Sequence, residues 1–404
     1  MSAVRQEADP APGEDLSRCR VLANTPRTYQ HLLRAARQLF QPDELERLVP
    51  RSRGGPRLAE VNGAGAAGLD PIAATEAISY DFLGKGGKYS RPFITLAAYD
   101  ALTGDHCTHP EGAEEVASRI ADTVCRAALS IEAFHKASLV HDDIQDGDEF
   151  RYGRPTVHIE HGVPTAINVG DYLIGLGYRL VSRDTNELGA ETAADILNKL
   201  ADAHTRLSEG QGAELVWRDG RDKRITPNEA LKIYALKTAP AFEAALYCGL
   251  RLAGPAEKYA QPVAQLARHL GIAFQILNDL QDWQGDDFNK LTLGGDVLGG
   301  RPTVLWALAL DGLEDDDRGR LEQLVADGEA SPAVFAEIRR LFHRAGAFDG
   351  ALKLVAEHQQ AAQSVAERLE PEALRRLALY LIESVLARPA TPAPPRVPLA
   401  VPTR

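Results

Sequence analysis

An all-α chain is predicted from three observations. Apolar residues recur at helical spacing through most of the sequence, the strict alternation of strands is rare, and glycine or proline stands at several breaks between periodic stretches. The spacing runs through 114–140, 164–183, 190–215, 228–253, 257–283, 301–311 and 350–387. The 404 residues are 44% apolar, which suffices for a sizeable core, and 25% charged, an average share that excludes a disordered or collagen-like chain.

In chain order, residues 1–24 are polar and proline-containing and are expected to form a disordered tail. An N-terminal extension over 25–74 follows, with a Gly-rich stretch, RSRGGPRLAEVNGAGAAGLD at 51–70, that reads as a loop. The main helical domain is expected over 75–388, with the acidic GLEDDDRGR at 312–320 as a solvated turn. Residues 389–404 repeat proline too often to pack and are expected to be a second tail. No repeat of solenoid period occurs.

No run reaches the roughly 18 apolar residues of a membrane span, and the N-terminus lacks the apolar stretch of a secretory signal, so a cytoplasmic protein is expected. Cys19, Cys107, Cys125 and Cys248 are scattered singly, without the close pairs of a zinc site, which fits a reducing compartment. A net charge of -12 argues against general nucleic-acid binding. It leaves room for anionic ligands wherever cations gather locally.

Two acidic clusters carry the chemistry. In HDDIQDGDEFRYGRP (141–155), Asp142 and Asp146 stand four residues apart at the end of an apolar helical run and share a face. Two hard carboxylates one turn apart suit Mg²⁺, which takes oxygen ligands and bridges to phosphates; the plainer alternative is a solvated acidic helix end. The second cluster, FQILNDLQDWQGDDFNK (274–290), puts Gln275, Asp279 and Asp282 at i, i+4 and i+7, again on one face. Two such helix ends facing each other across a bundle would hold several Mg²⁺ ions. Cations accompany the acids: Lys88 and Arg91 in GKGGKYSRP (84–92), Arg151 past the first cluster, Lys237 beside Thr238 in an apolar helix, and Lys290 closing the second. For Lys237 alone, a snorkelling surface residue is the plainer reading.

On GGKYSRP, HDDIQD, GRPTVH, LKTA and FQILNDLQDWQGDD, in that order, the chain resembles the trans-polyprenyl diphosphate synthases. The resemblance implies a bundle of about a dozen mostly antiparallel helices around a deep central cavity, and a homodimer. It also implies Mg²⁺-dependent condensation of isopentenyl diphosphate with an allylic diphosphate. Asp142 and Asp146 would hold Mg²⁺ on the allylic diphosphate with Asp279 opposite, three ions in all. Arg151, Lys237 and Lys290 would contact that diphosphate, Lys88, Arg91 and His135 would bind isopentenyl diphosphate, and Thr238 and Gln275 would lie near the reacting carbon. Three other functions compete: a terpene cyclase ionising one allylic diphosphate, a non-catalytic subunit of a heteromeric synthase, and a metal-dependent phosphohydrolase.

Two positions depart from the family pattern. Tyr152 replaces an arginine usual at the isopentenyl site, so that site is expected to be weak and Tyr152→Arg to tighten it. Asn278 replaces a common aspartate, which removes one negative charge from the second cluster. Product length is expected to follow the residues before Asp142. Ser138 and Ala137 are too small to block a growing chain, and Phe134, about one turn deeper, would set a floor near twenty carbons or longer.

Overall fold

The computed structural model describes residues 27–49, 70–104, 120–220, 222–283, 294–329 and 331–386. Its helices are α1 (Arg27–Gln38), α2 (Pro42–Leu48), α3 (Pro71–Gly84), α4 (Ser90–Thr103) and α5 (Asp122–Asp146). A two-stranded hairpin, β1 (Phe150–Arg151) and β2 (Arg154–Pro155), leads into α6 (Val157–His161), α7 (Val163–Ser182), α8 (Thr185–Leu188) and α9 (Ala190–Asp219). Then come α10 (Pro227–Lys237), α11 (Ala239–Ala253), α12 (Glu257–Asp282), α13 (Gly295–Leu298) and α14 (Val304–Gly312). The last four are α15 (Asp315–Ala326), α16 (Pro332–Arg344), α17 (Ala347–Ala366) and α18 (Glu372–Val385). The fold is all-α, as expected, and no helix among the described residues is long and apolar enough to cross a membrane. The Gly-rich stretch, apart from Asp70, and both predicted tails fall outside the described residues.

Three expectations about the helices need correcting. The periodic stretch 228–253 is two helices, because Thr238 (φ -126°, ψ -44°) leaves helical geometry and Pro240 has no N–H to donate back into α10. The stretch 350–387 is likewise broken, into α17 and α18, with Pro371 at the start of the second. The supposed solvated turn at 312–320 contains the first turn of α15, where Asp315, Asp316 and Asp317 complement the positive end of the helix dipole.

Two apolar cores organise the bundle. The larger joins α1 to α5, α7, α9, α11, the first half of α12, the end of α17 and α18. The smaller joins α10, the second half of α12, α14, α15, α16 and the start of α17. Helix α12 runs through both, with Val263, Leu266 and Leu270 in one and Ile276 and Leu280 in the other. The chain thus brings the acidic end of α5, rooted in the larger core, beside the end of α10, rooted in the smaller. A capping box starts α10: Glu229 accepts from Thr226 N–H at 2.8 Å and Thr226 Oγ1 accepts from Glu229 N–H at 3.3 Å.

Candidate active site

Helix α5 carries two charged clusters, one around Asp142 and one beneath the glycine loop before α4. Asp142 is partly buried, and burial, with Asp146 and Glu214 adding to it, pushes its carboxyl up to about 6 against the pull of Lys237 and Arg151. Asp146 is held between two arginines, Arg301 at 2.6 Å and Arg218 at 3.4 Å. Arg301 also pairs with Asp296 at 2.9 Å. Across from Asp142, Lys237 donates to buried Glu214 at 2.8 Å, and one residue on, Thr238 Oγ1 donates to Gln275 Oε1 at 3.3 Å. The break between α10 and α11 therefore sets a lysine, a hydroxyl and an amide side by side.

The second acidic motif is arranged less openly than its spacing suggests. Asp279 is only 3% exposed and accepts hydrogen bonds from the Tyr234 hydroxyl and from Val304 N–H at 3.4 Å. Burial pushes its carboxyl up to about 8 even though the Tyr234 bond pulls the other way. No hydrogen bond or ion pair among the described residues joins it to Asp142 or Asp146. Asp282 is also buried and accepts from Asp296 N–H at 3.3 Å. Asn278 and Gln281 are the partly exposed polar groups on this end of α12. Arg151 turns back to Asp143, its Nε donating at 2.5 Å, and Lys290 lies outside the described residues.

The other cluster gathers cations. Gly86 and Gly87 take φ of +71° and +105°, and a Cβ at Gly86 would lie 2.3 Å from Tyr152 Cδ2, so only glycine fits. Tyr152 and Gly153, both at positive φ, form the two-residue turn between β1 and β2 that lays the tyrosine ring on this loop. Arg91 is partly buried, with Nε meeting no partner, and Glu132, 2% exposed, leaves Oε2 unpartnered. Burial, together with Arg91, Lys136 and Arg151, holds the His135 imidazole well below its usual range, hence neutral. Lys88 is exposed. Below the acidic cluster, Ser138 is exposed, whereas Ala137 is 1% exposed and packs in the larger core. Phe134 packs edge-on against Tyr178 with centroids 4.8 Å apart and lies 5.6 Å from His204.

Sequence reasoning missed Glu214, Arg218, Tyr234, Arg301 and Lys136. Spacing could have exposed some of them: Glu132 and Lys136, and Glu214 and Arg218, are i, i+4 charge pairs on otherwise helical runs. Tyr234 and Arg301 stand in no local motif. For a metal, the donors fit a hard divalent cation. They are oxygens only, from carboxylates and the Asn278 amide, and the Asp142 carboxylate takes no hydrogen bond among the described residues, where no ready-made group of three ligating side chains occurs.

The polyprenyl synthetase family model matches residues 73–342. The chain is 30% identical over 304 residues to a short chain isoprenyl diphosphate synthase from Methanothermobacter thermautotrophicus, a match covering 75% of this chain and 87% of that one. It is 31% identical to a geranylfarnesyl diphosphate synthase from Natronomonas pharaonis, covering 74% and 87%. Among solved structures, a geranylgeranyl pyrophosphate synthetase from Pyrococcus horikoshii superposes with a TM-score of 0.71 at 25% identity, over 90% of this chain and 98% of that one. A match of this length, on the same helical architecture, makes the chain a member of the polyprenyl synthetase family and a prenyltransferase.

Proposed function

We propose that the enzyme condenses isopentenyl diphosphate with an allylic diphosphate, in a Mg²⁺-dependent reaction, to a trans-polyprenyl diphosphate of about twenty carbons or longer. One observation carries this reading: a single helix presents a metal-suited acidic cluster and, seven residues earlier at His135, a cationic cluster. At 1.5 Å per residue the two lie about 10 Å apart, which suits two diphosphates approaching one reaction centre.

Asp142 and Asp146, with Asn278 or Asp279 across from them, would hold the ions, three by family resemblance. When bound, they supply Lewis-acid neutralisation of the leaving diphosphate. Lys237 adds positive charge beside Asp142, and Arg218 and Arg301 stand ready to trade Asp146 for phosphate oxygens. The allylic carbon–oxygen bond breaks with its electron pair leaving on diphosphate. The π electrons of isopentenyl diphosphate then form the new carbon–carbon bond, and a proton passes to the departed diphosphate. Thr238 and Gln275 turn their oxygens toward the cationic carbon, and apolar walls exclude the water that would quench it. Phe134, with Tyr178 and His204, forms the floor of the product cavity one turn below Ser138. A homodimer belongs to this reading, supported by the exposed apolar side chains of Ile159, Val163 and Ile167.

Incubation with labelled isopentenyl diphosphate and a series of allylic primers tests the proposal. Chain-lengthened diphosphates are expected. A hydrocarbon or alcohol made from the allylic diphosphate alone would establish a cyclase, and activity appearing only with a second, different chain would establish a subunit.

A further inference from the structure

Lys136 is fully buried, at 0% exposure, one of the largest side chains so enclosed. Burying an ammonium costs several kcal/mol unless it is paired and hydrogen-bonded. Here the surroundings are built to bear it. Nζ donates to the carbonyls of Lys85 at 2.6 Å and Gly86 at 2.9 Å, and lies 4.6 Å from the centre of the Tyr152 ring and 5.1 Å from that of Phe82. Glu132, one turn earlier on α5, supplies the nearby negative charge. A methionine would fill this volume without any of these arrangements, so packing alone does not account for a lysine.

The two accepting carbonyls have a geometric consequence. In a trans peptide the C=O and the following N–H point in opposite directions. With the Lys85 and Gly86 carbonyls drawn down to Lys136, the N–H groups of Gly86 and Gly87 are aimed away from it, and neither finds an acceptor among the described residues. Successive free amides at positive φ make an anion-binding concavity. Lys88 follows on the same loop and Arg91 in the first turn of α4.

We propose that Lys136 is a positioning residue for isopentenyl diphosphate: seated under the Gly86–Gly87 loop and capped by Tyr152, it aims the loop amides at the diphosphate. It also supplies the positive potential of the arginine usual at position 152. The positive charge sits on α5, with the aromatic ring of the hairpin over it. This rests on the condensation proposed above. It also reverses the expectation that Tyr152→Arg tightens the site, because a guanidinium there would meet an ammonium already in place.

Steady-state kinetics on the full chain, with calorimetric binding of isopentenyl diphosphate alongside, test it. Lys136→Met should raise KM for isopentenyl diphosphate about ten- to a hundredfold, leaving kcat and the allylic KM within about threefold. Tyr152→Arg should raise that KM. The double variant Lys136→Met/Tyr152→Arg should return to within about fivefold of wild type, a rescue that a merely structural lysine would not give. A lower KM in Tyr152→Arg, or no rescue in the double variant, overturns the proposal; the first holds even if Lys136→Met does not fold. Wild-type binding without condensation would sink the functional reading alone. Equal binding by wild type and Lys136→Met would sink this inference alone, and no binding by wild type would sink both.

Discussion

Around Asp142 the acids and bases already answer one another: Asp146 lies between Arg218 and Arg301, and Lys237 against Glu214. Beneath the glycine loop the balance is different, with Arg91 and Lys136 set about one buried carboxylate, Glu132, and a neutral His135, and with Lys88 exposed on the loop above. The first cluster must exchange partners before it can accept an anion, because carboxylates repel diphosphate until metal ions intervene. The second has positive charge to spare and can accept one directly. On the proposed reaction, the contrast separates two ways of holding a diphosphate, and the metal requirement would fall on one substrate only.

The strongest challenge to this contrast is Asp142→Ala. Turnover should fall by about three orders of magnitude or more, while calorimetric binding of isopentenyl diphosphate stays within about twofold and the melting temperature changes by no more than about 2 °C. Turnover within tenfold of wild type would dissolve the distinction. Acidity gives the next largest effect. A carboxyl held up to about 6 is charged above that pH and becomes neutral as pH falls through it, so Mg²⁺ affinity of the apo enzyme should fall by up to about tenfold per unit below pH 6. Glu214→Gln removes a negative neighbour and should move that midpoint downward; a wild-type midpoint near 4, the ordinary carboxylate range, would contradict the geometry.

Arg301→Met sharpens the contrast at smaller scale. It frees Asp146 from its nearer arginine and should tighten Mg²⁺ binding about threefold, at a cost in stability of about 1–2 kcal/mol read from denaturant unfolding. Weaker metal binding would mean that Arg301 orients Asp146 instead of competing for it. Phe134→Ala belongs to neither cluster: rates should stay within about twofold while products lengthen by one or more five-carbon units. An unchanged product distribution would put the floor on another helix.

Much of this was legible in advance, for reasons that differ along the chain. Helices α7, α9 and α12 announce themselves by period, since each turns one face to a core, whereas α5 is buried at every position over 124–133 and is marked by its polar end. Helix α4 does not, because Phe93, Ile94, Thr95, Leu96, Ala97 and Ala98 are all buried, and a helix apolar on every side shows no period. The site divides in the same manner. Asp142 and Asp146 are readable because local spacing alone aligns them. Arg301 and Glu214 are not, because they reach Asp146 and Lys237 from sequence positions far away and only the packed bundle joins them. For Asp279 the spacing was readable, but its hydrogen bond from Tyr234, which comes from another helix, was not.

Gly177 on α7 carries a consequence for descent. A Cβ there would stand 2.6 Å from Phe134 Cε2, and the neighbouring backbone is pinned by Ser130, whose hydroxyl donates to the Gly177 carbonyl at 2.7 Å. The seat of the phenylalanine ring is therefore fixed by an atom that is missing from the adjacent helix. One methyl group at position 177 would press the ring inward, and loss of the ring at 134 would open the way downward. With Phe134 as the product floor proposed above, a lineage would shorten or lengthen its product through either of two codons, 134 or 177, and leave the acidic end of α5 untouched.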